Sequence, residues 1–169
     1  MYRTDRLYLR PACRSDAPAL LRAIADEEIV RNLASAPWPY TLAYAERLAS
    51  LDFNPEEPRL FVFRENDGLA ELIGVAGLDR MPEGEVELGF WIAKAHWNRG
   101  YAFEAGRQMI EIATRELRLA QLFAGYFIDN PASGRVLEKL GFVPVGEVTE
   151  RNSRGRGGVA HCQMCRLDL

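Results

Sequence analysis

Gly89-Phe90-Trp91-Ile92-Ala93-Lys94-Ala95-His96-Trp97-Asn98-Arg99-Gly100-Tyr101-Ala102-Phe103-Glu104-Ala105 is the stretch on which the reading of this chain turns. Its apolar start fits a strand, and its end opens a helix. Ala102, Ala105, Met109, Ala113 and Leu117 recur at three- and four-residue spacing, with Glu104, Gln108, Glu111 and Arg115 between them, so Tyr101 to Leu117 reads as an amphipathic helix. First-turn amides of a helix lack intrahelical partners, and the helix dipole favours an anion there. Gly100 and Ala102 let the backbone approach a bound group, and Arg99 adds a fixed positive charge. Such a junction suits a pyrophosphate, although these residues alone also fit a purely structural loop. It lacks the Gly-x-Gly-x-x-Gly of dinucleotide-binding folds and the Gly-Lys-Ser/Thr of Walker loops. Gly155-Arg156-Gly157-Gly158 sits in a hairpin, not before a helix.

Strands and helices alternate on either side. Leu7 to Arg10 is an extended run ended by Pro11, and Ser15-Asp16 offers an N-cap to a helix carrying Leu20, Leu21 and Ile24. Ile29 to Leu33 and Thr41 to Leu51 are further helical turns, separated by Ala36-Pro37-Trp38-Pro39. Leu60 to Arg64, Leu72 to Leu78 and Val86 to Ala93 are strands joined by short turns, the first of them Asn66-Asp67-Gly68; this implies an antiparallel meander. Beyond the long helix come strand Leu122 to Ile128 and helix Ala132 to Leu140, closed by Gly141. Strands Phe142 to Val148 and Val159 to Leu167 then flank an Arg- and Gly-rich hairpin. No repeat or linker intervenes, so residues 1–169 are expected to form a single mixed α/β domain.

With 48% hydrophobic and 27% charged residues, disorder, collagen-like structure and coiled coil are excluded as whole-chain readings. The longest apolar runs fall far short of the ~20 residues of a membrane-spanning helix. Met1 to Arg6 has no apolar signal core, so the expected setting is cytoplasmic, with no membrane partner. A net charge of −3 argues against a nucleic-acid partner. Cys13, Cys162 and Cys165 are too few for a disulfide scaffold. Cys162 and Cys165, three apart on a strand, point to opposite faces, so no metal site is expected.

Taken with its neighbours, the junction resembles the GNAT superfamily of acetyl-CoA-dependent N-acetyltransferases. The branch it resembles most includes the ribosomal-protein N-terminal alanine and serine acetyltransferases. Trp97-Asn98-Arg99-Gly100-Tyr101-Ala102 matches the family cradle Arg/Gln-x-x-Gly-x-Gly/Ala, with the Trp in first place that is usual in this branch. Thr4-Asp5-Arg6-Leu7-Tyr8-Leu9-Arg10-Pro11 resembles the branch's first strand, and Glu87-Leu88-Gly89-Phe90-Trp91-Ile92 its central one. Asn130-Pro131-Ala132-Ser133, closing with Glu138-Lys139-Leu140-Gly141-Phe142, is similar to its later strand–helix segment. The implied fold is α/β (α+β). Its mostly antiparallel twisted sheet has about six or seven strands, splayed between the fourth and fifth, with about four flanking helices.

The implied reaction is direct attack of a primary amine on acetyl-CoA in a ternary complex, with no metal. By the resemblance, the pantetheine arm pairs with backbone groups of Trp91 and Ile92, one of which also stabilises the oxyanion. The pyrophosphate sits on amides of Asn98, Arg99, Gly100, Tyr101 and Ala102, and the Asn130 side chain holds the pantetheine. An α-amine of pKa ~8 is about one-tenth neutral at pH 7, a lysine of ~10.4 far less, so an N-terminus needs little base. Glu87 is the candidate base, through a water, with Glu85 second; both also fit surface carboxylates of a half-exposed strand. The helix Tyr that many members use as acid falls on Leu137, which cannot donate. Ser133 of Asn-x-x-Ser takes that part in the branch, or it caps its helix.

Trp38 fits a wall of the acceptor pocket or a core aromatic. His96 reads as a solvated loop residue more readily than as a base. Arg151, Arg154 and Arg156 form a basic hairpin that the family uses to border the acceptor, which implies anionic or carboxylate-bearing acceptors; a solvated loop is the plainer reading. The acceptor is either a protein N-terminus or a small-molecule amine. A non-catalytic acyl-CoA-binding module is the competing class, and a homodimer through the exposed edges of the last strands is a further expectation.

Overall fold

Alternation along the third strand explains how the sheet acquires two covered faces. Leu60 and Val62 point to one side and Phe61 and Phe63 to the other, and all four are buried. The computed structural model describes residues 1–66 and 68–169. Asp67, in the middle of the expected Asn66-Asp67-Gly68 turn, lies outside them, and Gly68 adopts φ +77°. The strands are β1 (Tyr2–Arg3), β2 (Leu7–Arg10), β3 (Arg59–Asn66), β4 (Leu69–Arg80), β5 (Val86–Ile92), β6 (Gln121–Phe127), β7 (Val143–Ser153) and β8 (Gly158–Asp168). The helices are α1 (Ala17–Ile24), α2 (Glu27–Val30), α3 (Leu42–Ala49), α4 (Tyr101–Arg115) and α5 (Pro131–Lys139).

One sheet carries the order β1-β2-β3-β4-β5-β6-β8-β7. The meander is antiparallel as expected, and β5 runs parallel to β6 through a single residue pair, Glu87 with Phe123. The sheet is therefore splayed beyond that rung. This is the expected splay between fourth and fifth strands, renumbered because β1 adds an edge strand, Tyr2 pairing with Leu9 and Arg3 with Tyr8. Two residues show no alternation, so the sequence could not reveal that strand. The turn expected over Ile29 to Leu33 is α2, shifted to Glu27–Val30 and capped by the Asp26 side chain on the Glu28 amide. Asp16 occupies the N-cap position of α1, but its carboxylate bonds Arg10 and the Cys13 amide instead of the helix.

One core lies between the sheet and α4 and α5, centred on Leu9, Leu60, Ile73, Leu78, Met109 and Leu122. The other joins Leu20, Ile24, Val30, Tyr40, Phe61 and Phe63 beneath α1 to α3. The Arg- and Gly-rich hairpin is docked, not solvated. The Arg154 amide donates to Ala34 O (3.0 Å), and Ser153 Oγ donates to Leu33 O (2.9 Å). Arg156 grips both carboxylate oxygens of Asp129 at 2.7 Å and also donates to the Arg31 carbonyl. These Arg156 bonds, together with the Arg156 and Arg31 charges, hold the Asp129 carboxyl below its usual range.

Gly155 sits at the closest point of this dock: a Cβ there would lie 2.2 Å from Val30 O. Gly155→Ala must push the hairpin off the end of α2. We expect a loss of about 1–3 kcal/mol of stability, seen as a lowered thermal midpoint. Ala at the open Gly89 position, where nothing lies within 4 Å of a Cβ, serves as the comparison.

Candidate active site

The junction between β5 and α4 is built as a cradle. Lys94–His96 forms a 3-10 turn, Asn98 adopts φ +59°, and Gly100, the N-cap of α4, adopts φ +80°. Among the described residues, none of the amides from Asn98 to Phe103 donates to a backbone carbonyl, so this row of donors stands free at the positive end of a 15-residue helix. Arg99 is exposed beside it. Arg6 and Glu104 hold the cradle from behind. Arg6 Nη1 donates to Arg99 O (2.8 Å), and its guanidinium lies 4.7 Å from the Tyr101 ring centroid and 2.7 Å from Glu104. Buried Glu104 also accepts from Thr4 Oγ1 and from the Arg6 amide (2.7 Å). Burial pushes the Glu104 carboxyl up, but these hydrogen bonds and the Arg6 charge outweigh it and hold it below its ordinary value. Sequence reasoning missed this clamp. Thr4-Asp5-Arg6 and Glu104 were each visible, but only the fold brings residues about a hundred positions apart together.

The ladder decides which groups of β5 face the gap. The Ala93 amide donates to Ile73 O (2.7 Å), towards β4, so the alternating Trp91 amide also points to β4. Trp91 O likewise lies against β4, 2.3 Å from where a Gly74 Cβ would sit. Phe90 and Ile92 therefore face the splay, and the expected pair Trp91 and Ile92 is corrected to Phe90 and Ile92. The Ile92 carbonyl is taken by Trp97 Nε1 (2.6 Å), which leaves the Ile92 amide and both Phe90 groups facing the gap. Free strand groups in line with the free helix amides fit the extended amide chain and pyrophosphate of acetyl-CoA.

The splay opens into a cleft of about 470 Å³. Glu87 lines it, its side chain almost wholly buried and gripped by Arg151 through two bonds of 2.6 and 2.9 Å. Hydrogen bonding to Glu87 raises the pKa of Arg151 further. Gly125 makes room for the pair, since a Cβ there would lie 2.8 Å from Arg151 Nη1. Glu85 lies in the exposed turn before β5, away from the cleft. Asp79, the other carboxylate of the lining, is paired with Arg59.

Asn130 and Ser133 face the cleft from the start of α5, with buried Leu137 one turn further on. Asn130, not Ser133, is the N-cap: its Oδ1 accepts from the Ser133 amide (3.4 Å). Asn130 Nδ2 donates to Ser133 Oγ (2.9 Å). A hydroxyl whose oxygen accepts from an amide keeps its hydrogen for another acceptor. Trp38 is 39% exposed and lies outside the cleft; Pro37 and Tyr40 line it instead. His96 is buried, not solvated. Its Nε2 lies 3.0 Å from Glu71 Oε1, away from the cleft. Arg154 lines the cleft, whereas Arg156 belongs to the dock on Asp129. Cys162 also lines it, and burial raises its thiol pKa. Among the described residues no three His, Cys, Asp or Glu side chains are grouped to hold a metal ion, and no helix is long and apolar enough to cross a membrane.

A row of free helix-start amides, a splayed sheet and a cleft thus meet at one strand, β5. The acetyltransferase (GNAT) domain family matches residues 6–143; the chain belongs to this family and is an acetyl-CoA-dependent N-acetyltransferase. Over 150 residues it is 29% identical to the uncharacterized N-acetyltransferase YoaA of Bacillus subtilis (strain 168), covering 85% of this chain and 82% of that protein. Its fold is similar to the ribosomal-protein-S5-alanine acetyltransferase of Vibrio fischeri (TM-score 0.79, 17% identity, 99% of this chain and 95% of that one). It is also similar to the spermidine N-acetyltransferase of Vibrio cholerae in complex with CoA and spermine (TM-score 0.75, 20% identity, 98% and 96%). These two are named for different acceptors, so likeness at such identities fixes the fold and not the acceptor.

The clamp has a pH signature. A carboxyl held below its ordinary value of 4.5 stabilises the fold fully above that value, and this contribution is lost as pH falls through the lower folded-state pKa. Glu104→Gln should therefore be less stable than wild type at neutral pH, with the gap closing on acidification below about pH 4.5. Its Kd for CoA should rise several-fold as the cradle loosens. Urea unfolding at a series of pH values reads the first effect; a gap independent of pH would contradict it.

Proposed function

We propose that the chain, acting as one catalytic unit, acetylates an α-amine, that of a protein N-terminus, by direct attack on acetyl-CoA. The supporting observation is that neither carboxylate of the cleft is free: Glu87 is bound by Arg151 and Asp79 by Arg59. An alkylammonium of pKa ~10.4 would need a free base, whereas an α-amine of pKa ~8 is already partly neutral at pH 7. A polyamine would also find no unpaired carboxylate to bind. The three free cysteines suit a reducing cytoplasm.

In the proposed reaction the neutral nitrogen adds to the thioester carbonyl carbon and the carbonyl electrons move onto oxygen. An amide of the splayed edge, from Phe90 or Ile92, donates to that oxyanion, a contact of the kind typically worth about 3 kcal/mol. The carbon–sulfur bond then breaks and CoA leaves as thiolate. The nitrogen proton leaves through a water held on the remaining lone pairs of the Arg151-bound Glu87 and passes on to bulk water. Ser133, oriented by Asn130, donates its hydroxyl hydrogen to the departing sulfur, whose pKa of ~8.5 demands little more.

Thiol release from acetyl-CoA against N-terminal Ser and Ala peptides, spermidine and Nα-blocked lysine tests this at pH 7. Peptide α-amines should turn over and the two alkylamines should be slow. Faster acetylation of spermidine than of every peptide would overturn the acceptor, and CoA binding without release on any amine would overturn turnover. Ser133→Ala should lower kcat about 10- to 100-fold, the loss of one hydrogen bond to a developing charge. Glu87→Gln should lower kcat too. Glu87→Gln/Arg151→Gln separates this from the cost of leaving Arg151 unpaired, with thermal midpoints reporting the fold.

A further inference from the structure

The cleft carries more positive charge than its known partners use. Four arginines line it against two carboxylates, in a chain whose net charge is −3. Arg59 and Arg151 are matched by Asp79 and Glu87. Arg47, from α3, and Arg154, from the tip of the β7–β8 hairpin, have no carboxylate within 4.0 Å among the described residues. Both guanidinium carbons instead lie beside one aromatic ring, 5.9 and 5.8 Å from the centroid of Tyr44. Arg154 Nη2 is 3.4 Å from the Tyr44 hydroxyl, and the Tyr40 ring stands 6.1 Å from that of Tyr44.

This pairing is not an accident of one flexible surface. The two arginines are more than a hundred residues apart. They share a wall because the hairpin is latched by the Arg154 amide on Ala34 O and by Ser153 Oγ on Leu33 O. Like charges on one concave wall repel each other unless an anion lies between them. Guanidinium groups steadied by an aromatic ring present planar donor forks suited to carboxylate or phosphate oxygens.

We propose that Arg47 and Arg154 form an anion subsite of the acceptor pocket, so that the acceptor is an amine carrying a carboxylate or phosphate group near its nitrogen. The subsite rests on the reading that this cleft receives the acceptor amine. The anion can come from an acidic residue just after a protein N-terminus or from the carboxylate of a small amino acid. Polyamines and basic N-termini are repelled by the same two charges.

Calorimetric titration into the CoA-loaded protein measures this without turnover. The probes are Ser-Glu-Glu-amide, Ser-Gln-Gln-amide, Ser-Lys-Lys-amide and free glutamate. The Glu peptide should bind about tenfold tighter than the Gln peptide and the Lys peptide weakest, with the preference shrinking as salt rises. Arg47→Gln/Arg154→Gln should bind the Glu and Gln peptides alike, and each single variant should lose part of the preference. Arg154→Lys, which keeps the charge, should retain more than Arg154→Gln. Equal binding of Glu and Gln peptides to the wild type, or a full preference in the double variant, overturns the subsite, as does failure of every acidic probe to bind. Binding and acetylation of glutamate but of no peptide leave the subsite standing and remove the protein N-terminus. Equal acetylation of all three peptides does the reverse.

Discussion

β5 pairs with β4 through seven residues and with β6 through one. A strand in the middle of a sheet cannot leave its second edge bare without cost, because each unpaired buried amide or carbonyl forfeits a hydrogen bond. The protein meets part of that cost itself by turning Trp97 Nε1 onto the Ile92 carbonyl. The rest of the edge suits a ligand that is itself an extended chain of amides. The positions of the cradle, the cleft and α5 all follow from where β5 and β6 part.

The electrostatics follow the same plan. Positive potential in this acidic chain is local: the free first-turn amides of α4 and the exposed Arg99 lie side by side, an arrangement suited to an anion. Behind them Arg6 neutralises buried Glu104, so the loop is braced by an ion pair that adds no net charge at the site. In the cleft the pairs Arg151–Glu87 and Arg59–Asp79 likewise cancel, and what remains is the charge of Arg47 and Arg154. Sorting paired from unpaired arginines says more about the acceptor than counting basic residues.

Most of the fold was legible from local pattern. The meander, the long helix and the later strand–helix unit each carried their own periodicity and turn chemistry, and they appear within a few residues of their expected bounds. The cradle was legible too, since it depends on a strand, a loop with glycine and a helix start adjacent in sequence. What escaped was whatever lacked a local period or depended on a distant partner. A two-residue edge strand shows no repeat, and the turn expected over Ile29 to Leu33 begins two residues earlier, as α2. Trp38, between two prolines, suits a pocket wall by its sequence, yet the chain turns it outward and brings Pro37 and Tyr40 in. Nothing local distinguishes Trp91 from Ile92; the phase of the β4–β5 ladder does.

By itself, then, the sequence determined the class of fold and the strand–loop–helix junction between β5 and α4, because these rest on side-chain alternation, helix spacing and backbone propensity over neighbouring residues, while the motifs strung along it carried the likeness to the family. Tertiary structure alone decided which charges survive. Glu87 met Arg151 across 64 positions, Glu104 met Arg6 across 98, and Arg154 was carried to Tyr44 across 110. Hydrogen bonds and ion pairs act over a few ångströms, and only the folded chain sets which distant residues come that close.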